Sequence, residues 1–201
     1  KNKKFKPISK MNIKSLVEAD NIAYKINGNK LFHNISFSVK KGEALHISGP
    51  NGSGKSTLIR IILGITKQIK GSIYHSKSID ISYLGHKNAL KNYLSVSDNL
   101  MLQGLSNHNE LSNLLVLLGL KKFLDVTVAN LSYGQQKKLA LLRIFLNKSN
   151  LIVLDEPFVG LDSDAQDIVE KFLINEINLG KALVYTSHIN SNIDSKILNL
   201  K

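Results

Sequence analysis

The pattern of hydrophobic and polar residues divides the chain into three regions. From Ser15 to Ser48, short runs rich in β-branched and aromatic residues are separated by the turn-forming stretches NGN and KKGE. This pattern predicts an antiparallel sheet that ends in a buried strand. From about Lys87 to Asn150, apolar residues recur at helical spacing, which predicts a helical region. Its segments are 94–105, 110–125 and a third that opens at 131.

Strands and helices alternate in the remaining sequence. The run LIVLDE over 151–156 is continuously apolar and ends in two acids, a pattern typical of a buried strand in a parallel sheet. A helical pattern over 164–180 and a second apolar run, KALVYTSH over 181–188, follow it. Another helix is predicted over 57–65, directly after a glycine-rich stretch. Together these elements predict an α/β fold with a parallel sheet.

Composition restricts the class of protein without deciding its function. The chain has 201 residues, of which 43% are hydrophobic and 21% charged, so it can form one folded domain with a sizeable core. The absence of cysteine excludes disulfide bonds and thiolate metal sites. The longest apolar run, LLVLLGL over 114–120, is far shorter than the roughly 20 residues that a membrane-spanning helix needs. We therefore expect no segment of the chain to cross a bilayer.

The formal net charge of +12 raises the question of a nucleic-acid partner. Almost all of the basic residues are lysines, scattered along the chain and without the interleaved aromatic residues that would stack on bases. We therefore predict no nucleic-acid partner. The first 14 residues are basic and are predicted to be a disordered extension, and no apolar segment follows KNKKFKPISK as a secretory signal would require.

A glycine-rich motif, GPNGSGKST, stands between a predicted strand and a predicted helix. It matches the phosphate-binding pattern G-x-x-x-x-G-K-[ST], in which successive backbone N–H groups and the helix N-terminus form a nest for an anion. Lys55 can reach the β- and γ-phosphates of a nucleotide, and the Ser56 hydroxyl can bind Mg²⁺. The predicted nucleotide-binding residues are Gly49, Pro50, Asn51, Gly52, Ser53, Gly54, Lys55, Ser56 and Thr57.

Two acids, Asp155 and Glu156, end the apolar run at 151–156. In phosphate-loop enzymes, a neighbouring strand delivers an aspartate to the metal, so Asp155 is the predicted metal residue. A carboxylate one position further on can orient and deprotonate water, which makes Glu156 the predicted catalytic base. Taken alone, such a pair is more often an ordinary helix cap. The phosphate-binding motif is what favours the catalytic interpretation.

The stretch LSYGQQ over 131–136 opens the third helical segment. With the phosphate loop and the acids, it makes the chain resemble the nucleotide-binding subunit of ATP-binding-cassette (ABC) transporters. LSYGQ differs from that family's LSGGQ signature only in having Tyr133 in place of the first glycine. VGLD over 159–162 and the TSH that ends at His188 match two further motifs of the family, in the family's order.

This resemblance implies a fold, a mechanism and a set of residues. The fold would be a P-loop NTPase of the ABC type, spanning 15–201, with a RecA-like core, an N-terminal antiparallel β-subdomain and a helical subdomain over about 87–150. Two subunits would close head to tail over two ATP molecules, so that each site is built from two chains. The residues implied to contact nucleotide or protomer are Ser132, Gly134, Gln135 and Asp162, with His188 as a catalytic residue.

His86 stands where the family normally has a glutamine near the metal. The resemblance therefore implies His86 as a metal-site residue beside Ser56 and Asp155. YLGH and the sequence around it resemble one branch, the ATP-binding subunit of the haem exporter of cytochrome c maturation. That branch implies ATP and Mg²⁺ as cofactors, integral membrane subunits as partners, haem as an indirect one, and a peripheral place on the cytoplasmic face of the bacterial inner membrane. The alternative functions are the ATPase of another ABC exporter and a soluble ABC ATPase such as one of iron–sulfur assembly. The alternative for His86 is a surface loop residue without a role.

The residue that contacts adenine is left open by the sequence. The family often stacks an aromatic residue of the first sheet on the base. The aligned position here is Ile26, with Tyr24 two residues earlier on the same face of a strand. Either residue can supply the contact.

Overall fold

The computed structural model describes residues 15–26 and 28–201, so the predicted extension at 1–14 lies outside the described residues. Over these described residues the chain forms eight strands and five α-helices, with two short 3₁₀ turns at Lys121–Phe123 and Val128–Asn130. The strands are β1 (Ser15–Ile26), β2 (Asn29–Lys40), β3 (Ala44–Ser48), β4 (Lys70–His75), β5 (Ile81–Leu84), β6 (Leu151–Asp155), β7 (Ala182–Thr186) and β8 (Lys196–Asn199). The helices are α1 (Lys55–Ile62), α2 (Val96–Leu102), α3 (Leu111–Leu117), α4 (Tyr133–Phe145) and α5 (Ser163–Asn178).

The first sheet is antiparallel and has the order β2-β1-β4. Ala19 of β1 pairs with Phe37 on one side and with Ile73 on the other. The predicted N-terminal antiparallel sheet is confirmed. Its third strand, β4, lies beyond the phosphate loop in sequence and was not predicted, because nothing local marks KGSIYH as a partner of β1.

The second sheet is parallel and has the order β5-β6-β7-β3-β8. The predicted buried strand, β6, is flanked by β5 and β7 and is fully buried, as expected for an interior strand. Since all neighbouring pairs are parallel, the carboxyl ends of β3, β6 and β7 meet at one edge. Ligands of open α/β sheets bind at this edge.

The parallel sheet separates two hydrophobic cores. Ile152 and Leu154 of β6 face the core formed with α4 and the other helices, whereas Leu151 and Val153 face the core shared with α1 and the antiparallel sheet. The alternation follows from the period of two along a strand. Apolar residues on both faces therefore explain why β6 reads as a continuous apolar run.

The chain between β5 and β6 contains α2, α3 and α4, as the periodicity predicted. The prediction of one helical segment over 110–125 was wrong in its extent, because α3 ends at Leu117 and Gly119 takes a positive φ of 67°. A 3₁₀ turn, not an α-helix, follows. The domain boundaries at 15–201 and about 87–150 stay predictions. Among the described residues, no helix is both long and apolar enough to span a bilayer.

Candidate functional site

A cleft of about 510 Å³ opens at the carboxyl edge of the parallel sheet, where the loop from β3 to α1 meets the ends of β6 and β7. Most of the predicted nucleotide, metal and catalytic residues lie on its wall. Those that line it are Asn51, Gly52, Gly54, Lys55, Ser56, Thr57, His86, Asp155, Glu156 and His188. Thus predicted residues as far apart in the chain as Asn51 and His188 share one site.

The loop conformation depends on Gly54, which precedes the first residue of α1 and has a left-handed φ of 98°. A Cβ at this position would lie 2.7 Å from the side chain of Leu31 and 2.9 Å from that of Phe32. Any other residue would therefore be strained and would collide with β2. The close approach of Gly54 to β2 brings the antiparallel sheet against the phosphate loop. Leu31 of β2 thereby becomes part of the cleft wall.

Lys55 joins the loop to His188 across the cleft. Its Nζ donates to the carbonyl oxygens of Gly49 (2.8 Å) and Pro50 (3.2 Å), and it lies 2.9 Å from Nε2 of His188. An ammonium group can only donate, so Nε2 of His188 must accept. This contact therefore assigns the ring proton of His188 to Nδ1.

Asp155 and Glu156 are held by a residue that the sequence did not single out, Thr186. Its hydroxyl donates to Oδ1 of Asp155 (2.8 Å) and accepts from the backbone N–H of Glu156 (3.0 Å). Thr186 is fully buried and pairs with Asp155 in the register of β6 and β7. The sequence signal that could have identified Thr186 was its position, two residues before His188 and at the end of a strand that neighbours β6.

Glu156 has an unusual backbone conformation for a residue with a side chain, with φ at 53°. Its Oε2 accepts from the backbone N–H of His188 (3.2 Å), and its buried Oε1 lies 3.5 Å from Nε2 of the same residue without a hydrogen bond. Strained backbone of this kind persists where surrounding contacts enforce it, and it concentrates at functional sites. Lys137 of α4, also outside the predicted set, donates from Nζ to the carbonyl oxygen of Glu156 (3.3 Å).

The residues predicted to hold the metal, Ser56, Asp155 and His86, share two cleft walls, that of the main cleft and that of an adjoining one of about 790 Å³. The Ser56 hydroxyl and the Asp155 carboxylate suit Mg²⁺, which prefers oxygen ligands. Because Thr186 occupies Oδ1 of Asp155, Oδ2 is the oxygen that can turn to a metal. His86 is exposed, and an imidazole fits Mg²⁺ better through a water molecule than as a direct ligand. In the part of the chain that the structure describes, no cluster of three or more His, Cys, Asp or Glu could bind a metal alone.

The start of α4 lies away from this cleft. Ser132 is the N-cap residue, and it forms a capping box with Gln135: Oγ of Ser132 accepts from the N–H of Gln135 (3.2 Å), and Oε1 of Gln135 accepts from the N–H of Ser132 (2.8 Å). Gly134 approaches the backbone so closely that a Cβ there would lie 2.5 Å from the carbonyl oxygen of Gly160. None of these predicted residues lines the cleft of its own chain.

Asp162 caps the next helix, α5. Its Oδ1 accepts from the N–H of Ala165 and its Oδ2 from Nζ of Lys138, both at 2.8 Å. The hydrogen bond from Lys138, followed by that from Ala165, lowers the pKa of Asp162. The ion pair joins α4 to α5, and Asp162 is likewise separate from the cleft of its own chain.

The two candidate adenine contacts differ in position. Ile26 lines the cleft and is 47% exposed. Tyr24 stacks on Phe32, with ring centroids 6.3 Å apart, and does not line the cleft. The geometry thus favours Ile26 and Leu31 as apolar contacts over a stacked aromatic residue.

Comparison with known proteins agrees with these motifs. The protein-family model described as ABC transporter matches residues 32–159. The chain belongs to the ABC transporter family. It is 33% identical to the cytochrome c biogenesis ATP-binding export protein CcmA of Vibrio vulnificus (strain YJ016), over 90% of this chain and 95% of that protein. It is 34% identical to the protein of the same name from Nitrosococcus oceani, over 88% of both chains.

The fold is likewise that of ABC ATP-binding domains. A dimeric ATP-binding cassette in a post-hydrolysis state, bound to ADP and Pi, superposes with a TM-score of 0.75 at 24% identity, over 92% of this chain and 94% of that one. At this identity the likeness concerns the fold alone. The predicted ABC-type P-loop fold, with its antiparallel sheet and parallel core, is confirmed.

Proposed function

We propose that the chain is the ATP-hydrolysing subunit of an ABC transporter complex in cytochrome c biogenesis, where it couples ATP hydrolysis to haem export or to release of a haem chaperone. The observation that carries this proposal is the similarity, over about 90% of the chain, to CcmA proteins. YLGH, with His86 in place of glutamine, supports the same branch. Neither another exporter nor a soluble iron–sulfur assembly ATPase is favoured by these similarities.

ATP would bind with its phosphates on the loop at 49–57 and its adenine against Ile26 and Leu31. Lys55 would exchange the carbonyl oxygens of Gly49 and Pro50 for oxygens of the β- and γ-phosphates. The exchange replaces neutral acceptors with charged ones, and charge-assisted hydrogen bonds are the stronger kind. The N-terminus of α1 adds further N–H groups and a favourable dipole.

Ser56 and Asp155 would hold Mg²⁺, which when bound neutralises charge that develops on the phosphates. Glu156 would accept a proton from the attacking water, since its carboxylate lines the cleft and is oriented by the N–H of His188. His188 can release Lys55 to the phosphates and, after a ring flip, donate to the γ-phosphate from Nδ1. His86 would act through water beside the metal.

The position of the α4 start supports a homodimer. Ser132, Gly134, Gln135 and Asp162 lie outside their own cleft, so they could reach a nucleotide only on another chain. The N–H groups of the first turn of α4 would then face the γ-phosphate held by the partner. The remaining partners would be integral membrane subunits, with the chain bound peripherally at the cytoplasmic face of the bacterial inner membrane and haem contacted only through the complex.

The test of the branch is a purification of the tagged chain from its own cells in mild detergent, followed by mass spectrometry and a haem absorbance spectrum. We expect small integral membrane proteins and haem to co-purify with it. A matched control is the Lys55→Ala chain, which should still assemble but should not hydrolyse ATP. Co-purification of a soluble scaffold without haem would overturn the assignment to cytochrome c biogenesis and leave the family membership intact.

A further inference from the structure

Lys137 is a fully buried lysine in the second turn of α4. A buried ammonium group opposes folding unless an opposite charge compensates it. In the described part of the chain, no carboxylate oxygen forms an ion pair with its Nζ within 4.0 Å. A lysine at this position therefore lowers the stability of the fold. If the role of the side chain were only to fill space, methionine would serve it better.

The contacts of Lys137 lead to the proposed catalytic base. Its Nζ donates to the carbonyl oxygen of Glu156 at 3.3 Å and lies 5.9 Å from the centre of the Tyr133 ring. Burial lowers the pKa of Lys137, whereas the negative charges of Asp155 and Glu156 act in the opposite direction. The ammonium group thus interacts electrostatically with both acids but forms an ion pair with neither.

Glu156 is fixed from both sides. Thr186 accepts the hydrogen bond of its backbone N–H, and Lys137 donates to its backbone carbonyl oxygen. Between these two contacts, the residue keeps its left-handed φ of 53°. Because rotation of that backbone would move the carboxylate, these two hydrogen bonds contribute to its position together with the N–H of His188, which donates to Oε2.

The helix that carries Lys137 is itself a rigid support. Its first turn is closed by the capping box of Ser132 and Gln135, and Gln136 donates to the carbonyl oxygens of Val128 and Leu131 (3.2 Å each). Gly134 packs directly on the backbone of Gly160, four residues beyond Glu156. These contacts hold the first turn of α4 in place, and Lys137 lies in the turn that follows it.

We propose that Lys137 is a positioning residue that holds Glu156 in its strained conformation, so that the carboxylate faces the water attacking the γ-phosphate. The inference rests on the proposed ATP hydrolysis and adds to it a residue that touches neither nucleotide nor metal. Loss of Lys137 should therefore slow turnover without weakening nucleotide binding. A misplaced catalytic group of this kind reduces the rate by up to about 100-fold.

The experiment compares the wild-type chain with Lys137→Met, Lys137→Arg and a surface control, Lys171→Met. Lys171 is exposed on α5, where it forms only a 3.9 Å pair with Asp167. We expect Lys137→Met to lower kcat about 10- to 100-fold, with KM for ATP and the affinity for a fluorescent ADP analogue changed by less than about 2-fold. Lys137→Arg, which keeps a charged donor, should recover most of kcat, and the control should match wild type.

Thermal unfolding separates positioning from packing. In Lys137→Met, removal of the buried charge should offset the lost hydrogen bond to the Glu156 carbonyl oxygen. Tm should therefore stay within about 3 °C of wild type, so activity and stability should not fall together. Unchanged kcat in this variant, a failure to fold, or a fall in Tm that tracks the activity across the variants would each overturn the inference. A wild-type chain that does not hydrolyse ATP would instead overturn the proposed function itself.

Discussion

The cleft at the edge of the parallel sheet and the start of α4 carry the two groups of predicted site residues, and they differ in how complete they are. In the cleft, His188 contacts both Lys55 and Glu156 within a single chain. At the start of α4, Ser132 and Gln135 form a capping box with each other and do not line the cleft. The arrangement in the cleft suits nucleotide binding and activation, whereas the residues at the start of α4 could act only on another molecule.

In the proposed homodimer, this difference means that one chain would hold half of each composite site. A closed dimer would join the cleft of one protomer to the α4 start of its partner, and closure would exclude water from the phosphates. Residues of the two groups should therefore respond differently to substitution. Those in the cleft would act in their own chain, and those at the start of α4 would act on the partner's nucleotide.

The largest effect is expected from Glu156→Gln in the cleft. The amide cannot accept the proton of the attacking water, so kcat should fall by about 100- to 10,000-fold while ATP still binds. The measurement is phosphate release beside nucleotide titration, with light scattering to detect a dimer that persists in ATP. Turnover near the wild-type rate would remove Glu156 from the role of base.

Complementation between two inactive chains tests the comparison most directly. Lys55→Ala should disable its own cleft, and Ser132→Arg should disable the partner's. In an equal mixture, half of the dimers are mixed and each has one intact site, so activity should recover to about a quarter of wild type. No recovery, with mixed dimers demonstrated by two affinity tags, would contradict a site shared between chains.

Thr186→Val should have an intermediate effect. The substitution keeps the shape of the side chain but leaves the buried N–H of Glu156 without an acceptor, at a cost of about 1–3 kcal/mol in the free energy of unfolding. We expect kcat to fall about 10-fold through loss of orientation of Asp155 and Glu156. Urea unfolding and ATPase assays measure both, with Thr66→Val as a control outside the cleft. An unchanged free energy of unfolding would show that the hydroxyl is dispensable.

The smallest effect is expected from Asp162→Asn, beside the α4 start. Asparagine keeps the helix cap, so the change isolates the exposed charge pair with Lys138, worth less than about 1 kcal/mol. The pKa of Asp162 is lower in the folded chain than its ordinary 3.8, so the pair stabilises the fold above that pH and loses its contribution as pH falls through the folded value. Tm of wild type should thus exceed that of the variant at pH 7, and the gap should close below about pH 3.8. A gap that is the same at both pH values would rule out the charge as its cause.

Much of the fold was accessible from the sequence because its signals are local. The buried strand β6, the helices α4 and α5 and the loop at 49–57 were each predicted from contiguous residues. The strands β4 and β8 were not predicted, since their pairing partners β1 and β3 are distant in sequence. Short strands at sheet edges have little periodicity of their own, and only the neighbouring strand defines them.

By itself, the sequence determined the chemistry of both regions: glycines that permit the phosphate loop, acids at the end of an apolar strand, and a capping serine at the start of α4. Only the tertiary structure decided which side chains meet. Thr186 and Lys137 reach Glu156 from 30 and 19 residues away, and Ile26 rather than Tyr24 faces the cleft. The physical reason is that the order of the parallel strands and the packing of the helices set these contacts. Neither can be predicted from the residues adjacent in sequence.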